Sequence, residues 1–238
     1  MSDPGNTQAG VRFNLCGAAL LADPSGGLFW PRHRLLAIAD LHLEKGAAFA
    51  ARGQPLPPYD TPDTLAAIER LIAIYKPATV IALGDSFHRA DSHLGLEASA
   101  RKRLQRLTGQ CRWVWIAGNH DPAPPVTLGG EGHAEISIDA LTFRHQPVRG
   151  ASSGEIAGHF HPAAKISVRG RSFRRRCFAI SADRVVMPAM GAYAGGLNVK
   201  DPAFSLLFDL HDFHVLMLGS GKIHRFAANK LRPDRRAA

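Results

Sequence analysis

Cysteine is scarce in this chain of 238 residues. Its three cysteines, Cys16, Cys111 and Cys177, are odd in number and form no CxxC pair. That excludes a disulfide framework and a thiolate zinc site, and it points to a reducing, cytoplasmic setting. Long apolar runs are missing as well. None approaches the roughly 18–20 residues that cross a bilayer. The start, Met1-Ser2-Asp3-Pro4-Gly5-Asn6, has no basic segment followed by an apolar one, so no secretory signal is visible. Internal repeats and low-complexity tracts are absent. Acidic residues are thin in one half only. Residues 139–238 hold 7 acidic and 16 basic side chains, whereas residues 1–138 hold 13 of each.

What remains is a globular composition, 45% hydrophobic and 21% charged, of a length that suits one domain over residues 1–238. The formal net charge of +9 sits in the second half, and 22 of the 29 basic residues are Arg. A polyanionic partner such as nucleic acid explains this, because the guanidinium fork matches phosphate oxygens. The bland alternative is a compositional bias of the coding genome.

Apolar runs and turn residues set out the elements. A first strand is predicted near Arg12–Leu21, and Pro24-Ser25-Gly26-Gly27 turns the chain into Leu28–Trp30. Buried strands follow at 35–39, 80–83 and 113–117. The Pro-rich stretch 54–58 reads as a loop. Thr61 as N-cap and Pro62 at the first helical position predict a helix running to Tyr75, which Lys76-Pro77 stops. A second helix is predicted near 94–107. The order β-α-β-α-β implies a parallel sheet with crossover helices. Beyond residue 135 short strands are predicted at 136–144, 155–158, 165–169, 177–180, 185–187, 205–210 and 214–218, forming a mostly antiparallel sheet. The tail 229–238 reads as frayed.

Chemistry gathers at the strand ends. Asp40 and His42 follow the first buried strand, Asp85 the second, and Asn119 and His120 the third. Parallel strands end on one edge, so residues eighty positions apart converge there. The second half adds His145 and the pair His159 and His161. Two carboxylates, four imidazoles and one amide oxygen, without a thiolate, suit Mn, Fe or Zn better than Ca or Mg. Seven ligands exceed the needs of one ion. Two ions about 3.5–4 Å apart clamp the oxygens of a phosphoryl group.

The ordered set Asp40-x-His42, Gly84-Asp85, Gly118-Asn119-His120-Asp121, His145 and Gly158-His159-x-His161 resembles the calcineurin-like metallophosphoesterases. The resemblance implies that Asp40, His42 and His161 hold one ion, that Asn119, His145 and His159 hold the other, and that Asp85 bridges them. It places His120 beside the leaving group as the catalytic residue, to stabilise the transition state or to protonate the leaving oxygen. The segments 39–46, 84–88 and 187–196 are similar to the PdeM group of ligase-associated DNA damage response endonucleases. Ser86 and Met190 depart from the Leu and Phe of that group, and neither is a ligand in this reading. The resemblance implies an α/β fold of the four-layer α/β/β/α sandwich type, Mn2+-dependent phosphodiesterase activity, and often a homodimer. It points to DNA, single-stranded, as substrate, and to DNA ligase or helicase partners. A small-molecule phosphoesterase, such as a nucleotide diphosphatase or a phosphomonoesterase, is the alternative. A catalytically silent binding scaffold is disfavoured by the complete ligand set.

Other positions carry two readings each. His88 and His93 are outer partners of ligands or belong to a polar loop. Asp121 orients His120 or caps a turn before Pro122. Glu44 and Lys45 line the cleft or start a helix. The loop 188–196 brings backbone N–H groups to phosphate or makes a tight turn at a dimer contact. Arg169, Arg171, Arg174, Arg175 and Arg176 contact DNA or form a solvated hairpin face. His133, His211, His214 and His224 lack motif context and read as structural or exposed.

Overall fold

The computed structural model describes residues 10–50, 53–54, 57, 59–123, 125–150, 152–209 and 211–234. Pro55, Leu56 and Pro58 of the Pro-rich stretch, and Arg235 and Arg236 of the tail, lie outside the described residues. So do residues 1–9 and Leu210.

The first sheet has seven strands in chain order: β1 Val11–Leu15, β2 Ala18–Ala22, β3 Leu28–Trp30, β4 Leu35–Ile38, β5 Thr79–Leu83, β6 Arg112–Ile116 and β7 Glu131–His133. Strands β4 to β7 are parallel, as the β-α-β-α-β reading requires. The predicted first strand is two. Cys16 and Gly17 both have positive φ, 47° and 85°, and fold β1 back on β2 through a two-residue turn of the type that matches strand twist.

The second sheet has nine strands. They are β8 Glu135–Ile138, β9 Leu141–Arg144, β10 Glu155–Ala157, β11 Pro162–Val168, β12 Arg171–Ile180, β13 Arg184–Val186, β14 Leu197–Asn198, β15 His214–Leu218 and β16 Ile223–Ala227. Most pairings are antiparallel, but β11 and β14 run parallel, and so do β9, β10 and β13. The second exception brings the ends of β9 and β10 to one edge.

The helices are α1 Lys45–Ala50, α2 Asp60–Tyr75 and α3 Ala98–Gln110. One core, which includes Leu28, Ala37, Phe143 and Phe178, fills the space between the sheets. A second lies between the first sheet and α2 and α3, through Leu36, Leu65, Ile68, Leu104 and Trp113. A third covers the outer face of the second sheet. Strands β4 and β5 are therefore apolar on both faces. This is the expected α/β sandwich. Among the described residues its fourth layer is thinned to one-turn 3-10 helices, Pro202–Leu206 and Ala228–Lys230.

Three expectations need correction. Residues 205–209 are not a strand. Asp201 accepts a hydrogen bond from Ala203 N and Pro202 follows it, so the chain starts a 3-10 helix there. Helix α2 starts at Asp60, two residues early, because the Thr61 hydroxyl is turned to Glu44 instead of capping. The tail up to Asp234 is docked. Leu231 is buried, Arg232 N donates to Lys165 O at 2.8 Å, and Asp234 pairs with Arg174 at 3.2 Å.

Candidate metal centre

The C-terminal ends of β4, β5 and β6 deliver Asp40 and His42, Asp85, and Asn119 and His120 to one edge of the first sheet. The ends of β9 and β10 deliver His145 and His159 from the second. His161 precedes β11. Asp40, His42, Asp85, His159 and His161 all have positive φ, between 43° and 70°. Non-glycine residues adopt this region at a cost of about 1–3 kcal/mol each, and such strain concentrates at functional sites. Backbone bonds between loops hold it in place. His42 N donates to Asp85 O, Leu43 N to Ser86 O, and Gly158 N to His145 O, each at 2.9 Å.

The side chains form two groups whose donor atoms lie within 4.8 Å of one another, Asp40 with His42 and His161, and Asp85 with His145 and His159. In the first, His42 Nε2 and His161 Nε2 are 3.2 Å apart, and His161 Nε2 is 3.3 Å from Asp40 Oδ1. In the second, Asn119 Oδ1 stands 2.8 Å from His145 Nε2 and 2.9 Å from His159 Nδ1. Those two nitrogens are 3.2 Å apart, and Asp85 Oδ2 is 3.3 Å from His145 Nε2. Donors sitting about 2.0–2.2 Å from one ion stand roughly 3 Å from each other. His145 Nδ1, 3.7 Å from Asp40 Oδ1, joins the groups.

Charge and protonation favour cations here. Asp40 and Asp85 are buried, and among the described residues neither has a Lys or Arg within 4.0 Å. Buried carboxylates need a compensating charge. Burial, with His161 beside it, lowers the His42 pKa to about 3, so its lone pair is free. Burial and His145 lower that of His159. Burial opposes charge on Asp85, but the His145 hydrogen bond and charge and the His120 N–H bring its pKa down to about 2. For His145 burial is outweighed by Asp85 and Asp40, and its pKa is raised. Among the described residues His42 Nδ1 is buried without a hydrogen-bond partner. The donor set thus fits two divalent ions.

His120 stands at the rim. Its N–H donates to Asp85 Oδ1 at 2.9 Å, and its Nδ1 lies 2.9 Å from His88 O, which only a protonated Nδ1 satisfies. Its ring meets His42 edge-on at 5.3 Å and stacks on His88 at 5.5 Å. His88 is therefore at the site, whereas His93 hydrogen-bonds locally to Ala90 O.

Two motif glycines are there for space. A Cβ on Gly84, at φ 70°, would meet His145 Cγ at 2.5 Å, and one on Gly118 would meet Asp85 N at 2.2 Å. Gly118→Ala should therefore displace Asp85. Mn2+ affinity, measured by calorimetry, should fall at least tenfold in a protein that still folds. Unchanged affinity would refute the packing argument.

Several neighbours escape the motif reading. Asp121 neither orients His120 nor caps a simple turn. Its Oδ2 accepts from Ser86 N at 2.8 Å and Phe87 N at 3.1 Å, fastening the loop after Asp85. Burial raises its pKa to about 6 against those two hydrogen bonds. Lys45 starts α1, and Glu44 bonds Thr61. The loop 188–196 packs on the first donor group, with Met190 N on Ala39 O and Gly191 N on Asp40 O. Arg174 and Arg176 hold it through Gly196 O and Ala189 O. Buried Arg184 donates to Glu155 at 2.5 Å and to Leu207, Val148 and Gly150 carbonyls, while Glu155 Oε1 accepts from Val148 N. This knot ties the loop after His145 to the strand before His159. Its only trace in sequence is one charge in each of two apolar strands.

One solved structure agrees with this architecture. A nuclease from Pseudomonas putida, MPE, shares the fold at TM-score 0.70 with 24% identity, over 91% of this chain and 100% of that one. The E. coli phosphoesterase Yfce superposes at TM-score 0.39 with 16% identity, over 82% and 99% of the chains. No curated protein matches in sequence. The family profile Metallophos, calcineurin-like phosphoesterase, matches residues 33–173, more than half of the chain. The chain therefore belongs to the calcineurin-like phosphoesterase family, hydrolases of phosphoester bonds.

Proposed function

We propose that this protein is a dinuclear, Mn2+-dependent phosphodiesterase that cuts single-stranded DNA, as a DNA damage response endonuclease does. The convergence of seven side chains into two donor groups carries the reading. The positive second half and the nuclease that shares the fold support a nucleic-acid substrate.

Asp40, His42 and His161 would hold one ion. Asn119, His145 and His159 would hold the other, with Asp85 shared. Bound there, two divalent ions supply Lewis acidity that activates water and neutralises phosphoryl oxygens. His120 works beside them. Its Nδ1–H is held by His88 O and its backbone N–H by Asp85, so the ring is fixed and Nε2 is its remaining proton site. From Nε2 a proton passes to the departing alkoxide oxygen. The opposing loop 188–196 keeps Asp40 and its neighbours in register.

His120→Ala should lower kcat by about 10²–10³-fold while the protein binds Mn2+ as before. Normal turnover in this variant removes the role. A panel of single-stranded DNA, duplex DNA, nucleotides and monoesters, with Mn2+ and Zn2+, tests the substrate. Failure to cut any nucleic acid contradicts the DNA reading and leaves the small-molecule one.

A further inference from the structure

Strand β12 runs out of the hydrophobic core into a second charged site. Its residues alternate between faces. Cys177 and Ala179 join the outer core, and Phe178 and Ile180 the core between the sheets. Arg174 and Arg176 continue the inward row. There the apolar filling ends, and a cavity of about 390 Å3 opens, lined by both arginines, by Arg175 between them, and by Gly195, Gly196 and the Gly219-Ser220 turn.

Arg176 is half-buried, and burial pushes its pKa below the usual guanidinium value. Its hydrogen bond goes to Ala189 O at 2.5 Å, and among the described residues no carboxylate lies within 4.0 Å of it. Arg174 shares Asp234 with Lys165. A cation withdrawn from water without a counter-charge is costly unless an anion joins it. One wall of the cavity also touches the backbone that carries His161. Leu197 N, next to Gly196, donates to the carbonyl of His161 at 3.1 Å.

We infer that this cavity binds a phosphate of the single-stranded DNA backbone, one neighbouring the phosphate that is cut, with Arg176 and Arg174 as its clamp. The inference rests on the DNA reading above and makes it specific. The fork geometry of the two guanidinium groups suits a phosphate's oxygens, and the two glycines leave the cavity open. A polynucleotide spans the clamp and the metal centre together. A small diester reaches only the metals.

The test is fluorescence anisotropy of metal-free protein with a 5′-labelled single-stranded oligonucleotide, titrated at several salt concentrations. The double variant Arg174→Gln/Arg176→Gln should raise Kd about tenfold or more. It should also flatten the log–log salt slope by about 0.7 for each phosphate that is no longer neutralised. Arg176→Lys should keep most of the affinity. Ser220→Glu leaves both arginines in place and should also weaken binding about tenfold, which covers the case of a misfolded arginine variant. Wild-type affinity in Ser220→Glu and in the double variant overturns the inference, and so does a wild type that binds no oligonucleotide. Cleavage separates the two readings. If Mn2+-loaded wild type cuts DNA and the variants bind as it does, the clamp fails alone. If the variants bind weakly but wild type cuts nothing, the phosphodiesterase reading fails and the clamp stands.

Discussion

Asp85→Asn should lower kcat/KM for a phosphodiester by about 10³-fold, roughly 4 kcal/mol of transition-state stabilisation. The substitution keeps the shape but removes the charge. Asp85 is buried, its pKa is held at about 2, and one oxygen already accepts the His120 N–H. The other faces His145 at 3.3 Å. A neutral amide satisfies the hydrogen bond from His120 yet gives two cations no shared counter-charge. Metal content should therefore fall together with activity, whereas His120→Ala should lose turnover and keep its metal. Calorimetry of Mn2+ binding beside steady-state kinetics reads both. Full metal content with full activity in Asp85→Asn would show that this carboxylate is not shared.

Glu155→Ala should destabilise the metal-free protein by about 3–5 kcal/mol. At this chain length each kcal/mol moves Tm by about 2–4 °C, so the expected drop is on the order of 10 °C. The substitution strands the Arg184 guanidinium, which is 1% exposed, with only carbonyl partners. It also releases Val148 N, and with it the loop that follows His145. Replacing both charges, as Glu155→Met/Arg184→Met, should recover much of the loss, because two apolar side chains carry no desolvation penalty. Thermal unfolding of the three proteins in a chelator decides. A Tm for Glu155→Ala that stays within about 2 °C of wild type, less than 1 kcal/mol at this size, would show that the ion pair is not what holds these loops.

The two examples divide what a sequence reader sees from what stays hidden. Asp85 is legible because chemistry follows an apolar run. A buried strand, then Gly84, then a carboxylate is a local pattern, and strand order carries it to the shared edge. Asn119, His145 and His159 are legible on the same terms. Asp121 sits inside the same motif, but its work is to accept two N–H groups from the loop after Asp85, which no local pattern states. Arg184 and Glu155 are invisible because a buried ion pair leaves only two charges 29 positions apart in apolar strands. The misplaced elements have two causes, one a distant contact and the other a local cap. Local signals alone make Thr61 a cap and the segment after Asp201 a strand. In the fold a distant Glu44 claims the Thr61 hydroxyl, and Asp201 with Pro202 starts a 3-10 turn instead. The arginine run is legible as charge, but that Arg174 and Arg176 both hold the loop 188–196 and line the cavity depends on the face of β12 they take.

Two divalent ions are expected to sit between these seven side chains. A crystal of Mn2+-equilibrated protein, measured at the manganese absorption edge, tests it directly. Two anomalous peaks per chain are expected, one among Asp40, His42 and His161 and the other among Asn119, His145 and His159, with Asp85 beside both. A single peak, or peaks away from these residues, would contradict it.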